Sequence, residues 1–176
     1  MPTRRAFLST LLLTCIAVAA VFTLAGCGGD EPVSELKTVA EYFPIKIGDQ
    51  TARLQLAVEP AEQKLGLMGR TTLGADDGML FLYGHPQQMS FWMHNTLLPL
   101  DIGFFDTKGE LREVRQMIPN DQRSVKSRSA EILIAIEMNQ NWYRERGVKL
   151  GAKLDLVALK AALKSRGVEP RRVGLE

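Results

Sequence analysis

Along most of residues 43 to 157, apolar side chains recur at every second position or in short unbroken runs. Ile45 and Ile47, then Leu54, Leu56 and Val58, alternate with other residues on either side of Gly48-Asp49, which predicts a β-hairpin. Gly78–Leu82 is a continuous apolar run and predicts a buried strand, and Met89–His94 and Leu100–Phe105 predict two more. Asp106-Thr107-Lys108-Gly109 predicts a turn into a strand over Leu111–Ile118, and Glu131–Met138 and Val148–Val157 complete the set. Helical signals are few. Pro60–Met68 has proline in its first turn and Gly69 as its stop, and Asn141–Arg146 reads as one helical turn halted by Gly147. A terminal helix runs from a cap at Asp155 through Arg166, with Leu156, Leu159 and Leu163 on one side and Gly167 and Pro170 after it. About eight short strands, one or two small helices and a C-terminal helix predict a mostly β fold, a compact barrel or sandwich.

The first 27 residues follow a different pattern. Arg4 and Arg5 precede a run from Ala6 to Ala25 with no charged residue, the layout of an export signal. The run is also long enough to span a bilayer as an uncleaved helix. Its end, Leu24-Ala25-Gly26-Cys27, resembles the bacterial lipobox, in which the cysteine receives a diacylglycerol thioether and becomes the new N-terminus. Thr3-Arg4-Arg5-Ala6-Phe7-Leu8 resembles the twin-arginine motif of proteins exported already folded. The expected organisation is a lipoprotein signal peptide over 1–26 and a lipidated Cys27 with a tether over 27–42. The β domain follows at 43–157, then the C-terminal helix and tail at 158–176. The expected location is extracytoplasmic, held to the membrane through the lipid on Cys27. With Cys15 removed and Cys27 alkylated, neither of the two cysteines would remain as a thiol for catalysis or metal binding.

Composition adds two points. Hydrophobic content of 45% and charged content of 24% belong to a globular chain. Of the 22 basic residues, Arg4 and Arg5 lie in the leader, so 20 basic groups face 20 acidic ones beyond it. That balance removes the electrostatic case for a nucleic-acid partner. The charge is uneven, since the segment to residue 107 is acidic and the remainder basic, which suits internal complementarity or an anionic lipid surface.

Several runs together resemble the domain-of-unknown-function 192 family. They are Glu62-Gln63-Lys64-Leu65-Gly66-Leu67-Met68-Gly69-Arg70, Gly78-Met79-Leu80-Phe81, Phe91-Trp92-Met93-His94-Asn95-Thr96, Pro99-Leu100-Asp101-Ile102, and Glu137 near the end. The resemblance implies a small, mostly β domain frequent in secreted or membrane-tethered bacterial proteins, and it carries no established activity. Two departures stand out: His94 occupies a position where the family usually has lysine or arginine, and Gly151-Ala152 stands where it usually has Gly-Asp. An unperturbed histidine is mostly neutral at pH 7, so a family cation at 94 would be weakened here.

Candidate chemistry concentrates in Arg70, Trp92, His94, Asn95, Asp101 and Glu137, polar or amphipathic residues set in apolar sequence. A carboxylate at Asp101 is costly to bury unless paired, and Arg70 is the natural partner. One reading is therefore an Arg70–Asp101 brace with Asn95 holding a turn. The other is a small-ligand cleft with Arg70, His94, Asn95 and Asp101 as its polar wall and Phe91 and Trp92 as its apolar wall. Met89, Phe91 and Met93 fall on one side of a strand and Ser90, Trp92 and His94 on the other, which weakens copper binding by methionine with histidine. No metal or cofactor is expected, and there is no Gly-x-Ser-x-Gly elbow or phosphate loop. Asp76-Asp77 reads as a solvated turn. The leading expectation is an envelope lipoprotein whose domain binds a small molecule or an envelope protein. The alternatives are an enzyme using His94 or Asp101 as its acid–base group and, more remotely, a copper binder.

Overall fold

The computed structural model describes residues 37–176. The leader, Cys27 and most of the tether lie outside the described residues. Eight strands are present: β1 Phe43–Ile47, β2 Gln50–Ala57, β3 Asp77–Gln87, β4 Ser90–Phe91, β5 Leu100–Asp106, β6 Leu111–Met117, β7 Val125–Lys126 and β8 Ile132–Asn139. Six of them form one sheet in the order β1-β2-β3-β8-β5-β6, and β4 and β7 pair separately. The β1–β2 hairpin turns at Gly48-Asp49 as the alternation requires. β2 and β3 run parallel, so a crossover is needed, and α1 Pro60–Leu65 supplies it.

The fold is sandwich-like and not a closed barrel, because β1 and β6 do not pair with each other. The gap between them is bridged by single contacts. Leu154 bridges Ile47 of β1, and Lys153 bridges Glu110 just before β6. This replaces the strand expected over Val148–Val157, whose amides and carbonyls are divided between two edges and so build no ladder. The strand expected over Met89–His94 is likewise reduced to Ser90–Phe91, since His94 and Asn95 form a turn. α1 stops earlier than Gly69, at Gly66, whose φ of +48° is a conformation glycine takes without a Cβ clash.

Both faces of the large sheet are covered, and each has its own core. Side chains alternate between faces along a strand. On one face Leu54, Leu56, Leu80, Ile136 and Met138 pack under α2 Trp142–Glu145, α3 Leu156–Ser165 and a 3-10 turn at Pro170–Val173. Leu159 and Leu163 of α3 are fully buried there, as the leucine stripe predicts. Asp155 caps α3 by accepting hydrogen bonds from the amides of Val157 (3.1 Å) and Ala158 (2.9 Å). On the other face Met79, Phe81, Ile102, Phe104 and Ala135 pack under Leu67 and the segment carrying Met89, Phe91, Met93 and Leu98. The site lies on this second face.

Candidate functional site

Strand register decides which polar residues can meet. Gln55 stands opposite Met79, Met79 opposite Glu137, and Glu137 opposite Ile102. The adjacent row is Leu54, Gly78, Met138 and Asp101. Neighbouring rows point to opposite faces of a sheet, so Glu137 and Asp101 are separated by the sheet itself. Arg70, in the connection that follows α1, lies over the Glu137 face. Its guanidinium donates to the Tyr42 hydroxyl (3.2 Å) and to Gln55 Oε1 (2.5 Å). The expected Arg70–Asp101 brace is therefore absent, because the pleat sends Asp101 to the wrong side.

Asp101 finds another partner. Its Oδ2 accepts a hydrogen bond from the backbone amide of Asn141 (2.8 Å), while Oδ1 is buried without a partner among the described residues. Burial pushes the carboxyl above its ordinary range, the Asn141 amide and the Arg144 charge oppose the rise, and Glu145 adds to it. Beside it Tyr143 crosses over Gly103 and donates its hydroxyl hydrogen to the carbonyl of Ile136 (2.9 Å). Asp76 is more than a solvated turn residue, since it accepts from Trp142 Nε1 (2.9 Å) and pairs with Arg146 (2.8 Å).

Trp92, His94 and Asn95 occupy the other face. Trp92 is half exposed and His94 stacks on it, with ring centroids 4.8 Å apart and planes within 20°. Asn95 adopts φ of +52°, and its carbonyl accepts the Gly69 amide (2.8 Å), tying this segment to the turn after α1. Met89 and Met93 are buried with Phe91, while His94 stacks on the half-exposed Trp92. The alternation read from the sequence thus holds even where the strand pairing does not.

Between the α1 turn and the 90–96 segment lies a cavity of about 140 Å³. Its walls include Phe81, Tyr83, Phe91 and Trp92, and its polar lining includes Gln63, Thr96 and Glu137. Glu137 is only 6% exposed, and its carboxyl makes no hydrogen bond to any described residue. Burial pushes that carboxyl up to about 8, against the pull of the Arg70 charge. Tyr83 is pushed up to about 12 by burial and by Glu137 next to it. The structure thus brings Glu137, Trp92 and Phe91 to one cavity, with Arg70 beside it, and leaves Asp101 out. Neither His94 nor Asp101 is among the residues that line this cavity. Tyr83, Gln63 and Thr96 are not among the candidate residues read from the sequence. Gln63 and Thr96 stand inside the runs that carry the family resemblance, but nothing in spacing alone marks Tyr83.

Fold and site together define a class: a small sandwich-like β domain with a buried acid opening into an aromatic-walled cleft. The chain belongs to the DUF192 family, described as uncharacterized ACR, whose pattern matches residues 43–156. A protein of unknown function from Novosphingobium aromaticivorans is similar, with 32% identity, a TM-score of 0.62, and coverage of 70% of this chain and 89% of that one. A Sinorhizobium meliloti protein described provisionally as a transcription regulator is also similar, with 29% identity, a TM-score of 0.61, and coverage of 65% and 92%. No curated protein matches the chain.

Proposed function

We propose that this protein is an envelope lipoprotein, anchored through Cys27, whose β domain binds a small ligand in the cleft over Glu137 without chemical turnover. One observation carries the binding reading: a carboxyl 6% exposed, with no hydrogen-bond partner among the described residues, facing a cavity. A buried polar group is costly unless something satisfies it, and a ligand group does so when the protein does not. Aromatic walls with few convergent polar groups are the usual make-up of small-ligand sites. The anchor rests on the leader, Leu24-Ala25-Gly26-Cys27 in particular.

The alternative, an enzyme using His94 or Asp101 as its acid–base group, draws nothing from this cleft, since neither residue lines it. The description borne by the Sinorhizobium neighbour is not carried over, because the charge balance beyond the leader lacks the positive excess that drives nucleic-acid binding.

The full chain in a mild detergent, melted against sugars, nucleotides, peptides, amines and metal ions, tests the cleft. A ligand at about a hundredfold its dissociation constant stabilises by about 2.7 kcal/mol, enough to move the midpoint several degrees. The shift should shrink in Glu137→Gln and in Trp92→Ala. A response that neither substitution reduces removes the cleft from the proposal.

A further inference from the structure

The chemistry around Glu137 narrows the ligand class further. Four aromatic residues, Phe81, Tyr83, Phe91 and Trp92, line one small cavity with a single carboxyl at its floor. Aromatic faces carry negative potential and attract cations, most strongly when the site is dry. The Glu137 carboxyl makes no hydrogen bond to a described residue, and the opposing charge that acts on it is that of Arg70. Two polar side chains of the lining are already engaged: Gln63 donates to the Leu82 carbonyl (2.5 Å) and Thr96 to the His94 carbonyl (3.3 Å). The cavity of about 140 Å³ is close to the size of an engineered cavity of about 150 Å³ that holds one benzene, so a group of roughly six heavy atoms fits.

From this geometry we infer that the cleft is a cage for a small organic ammonium group, methylated or primary, with Glu137 as its counter-ion. This rests on the small-ligand reading above and specifies it. Binding is an exchange. The neutral Glu137 acid releases its proton to solvent as the cation enters, leaving an ammonium–carboxylate pair and no change in the site's net charge.

The charged and titratable groups about Glu137 come from three elements besides its own strand. Arg70, in the connection after α1, lowers the Glu137 pKa by its charge but spends its donors on Tyr42 and Gln55. Lys64 of α1 is a lining residue and is exposed. Tyr83 of β3 and Tyr143, across the sheet, are both pushed up by burial and stay neutral. Arg70 therefore does not close the ion pair, and the acid's raised pKa reports that gap.

The test is calorimetric titration of the full-length protein in nonionic detergent with tetramethylammonium chloride and choline chloride, against sodium chloride at equal ionic strength. Sodium acetate and glucose serve as the anionic and neutral comparisons. The expected result is saturable binding of the ammonium salts, with apparent affinity rising about tenfold per pH unit up to about pH 8 and level above it. At pH 7 close to one proton should be released per cation bound, read from buffers of different ionisation enthalpy. Glu137→Gln should lose about tenfold or more in affinity, together with the pH dependence. Trp92→Ala should weaken binding by several-fold without altering that dependence. Binding of acetate or glucose with no response to ammonium would overturn the ammonium class and leave the cleft reading standing. No binding by any probe, here and across the wider ligand panel, defeats both. If Glu137→Gln does not fold, the wild-type proton count decides: cation binding with no proton released refutes the exchange.

Discussion

Glu137 carries an unfavourable burial that a titration can expose. Its acid form is favoured in the folded state, with a pKa of about 8 against an ordinary 4.5. Folding therefore takes up a proton between these two values. The stability it contributes is complete below about pH 4.5, declines as pH rises, and is fully lost above about 8. Denaturant midpoints measured from pH 5 to 9 should fall through that window, by roughly a few kcal/mol at most, and Glu137→Gln should flatten the decline. Asp101 is raised by burial too and acts in the same direction. Arg70 supplies a second residue-level test. A double-mutant cycle of Arg70→Ala with Glu137→Gln should show coupling of about 0.5 kcal/mol or more, whereas Arg70→Ala with Asp101→Asn should be additive. Coupling in the second cycle would restore the brace and overturn the register argument. Gly103 offers a steric counterpart, because a Cβ there would lie 2.5 Å from the Tyr143 hydroxyl oxygen. Gly103→Ala should cost about 1–3 kcal/mol in chemical denaturation.

Among the elements, α3 does more than its place at the end of the chain suggests. The family pattern stops at residue 156, yet Leu159, Leu163, Val173 and Leu175 are buried in the core beyond it. Arg166, just past the end of α3, pairs with Glu62 of α1 at 2.5 Å and also donates to the Leu56 carbonyl. Burial tends to raise the Glu62 carboxyl, but Arg166 and the amides of Glu59 and Val58 outweigh it and hold it below its ordinary range. Breaking one partner of such a half-dry pair is expensive, so Arg166→Ala should destabilise by about 3 kcal/mol. A chain ending at Val157 should bind a hydrophobic dye and lose its cooperative melt, since the part of the sheet that α3 and the 3-10 turn cover is bared.

How far these elements could be read in advance follows from how many neighbours each one needs. The β1–β2 hairpin, the capped α3 and the apolar runs of β3, β5 and β8 were legible, because alternation, a cap and unbroken hydrophobicity are local signals. The 89–94 segment was legible in its burial and not in its pairing, which depends on the distant β7. The site was half legible. Glu137 stood out as an acid inside Ile134–Met138, but its nearest charge was not, because Arg70 reaches this face only through a crossover. The Arg70–Asp101 pairing failed for the same reason: two residues of suitable charge say nothing about which side of a sheet each one meets.

At the scale of the whole molecule, the proposed anchor and the domain can be tested separately. Cys27→Ser should move the protein out of the lipid-modified pool, read by mass spectrometry of the membrane fraction. An unmodified Met1 in the wild type would refute the lipoprotein reading. No described helix is long and apolar enough to cross a membrane, so attachment would rest on residues before 37. The two ends of the described chain also meet. The Lys37 amide donates to the Ser165 carbonyl (3.0 Å), and Arg166 reaches Glu62 across 104 positions. Both closures wait for the last part of the chain to be made. At about 5–20 residues per second, a ribosome needs roughly ten seconds or more to deliver these 176 residues, leader first. Under the proposed export, the leader would be exposed throughout that time on a chain whose sheet is still unfinished. The speed of translation would then set how long such a leader could be recognised before the domain shuts.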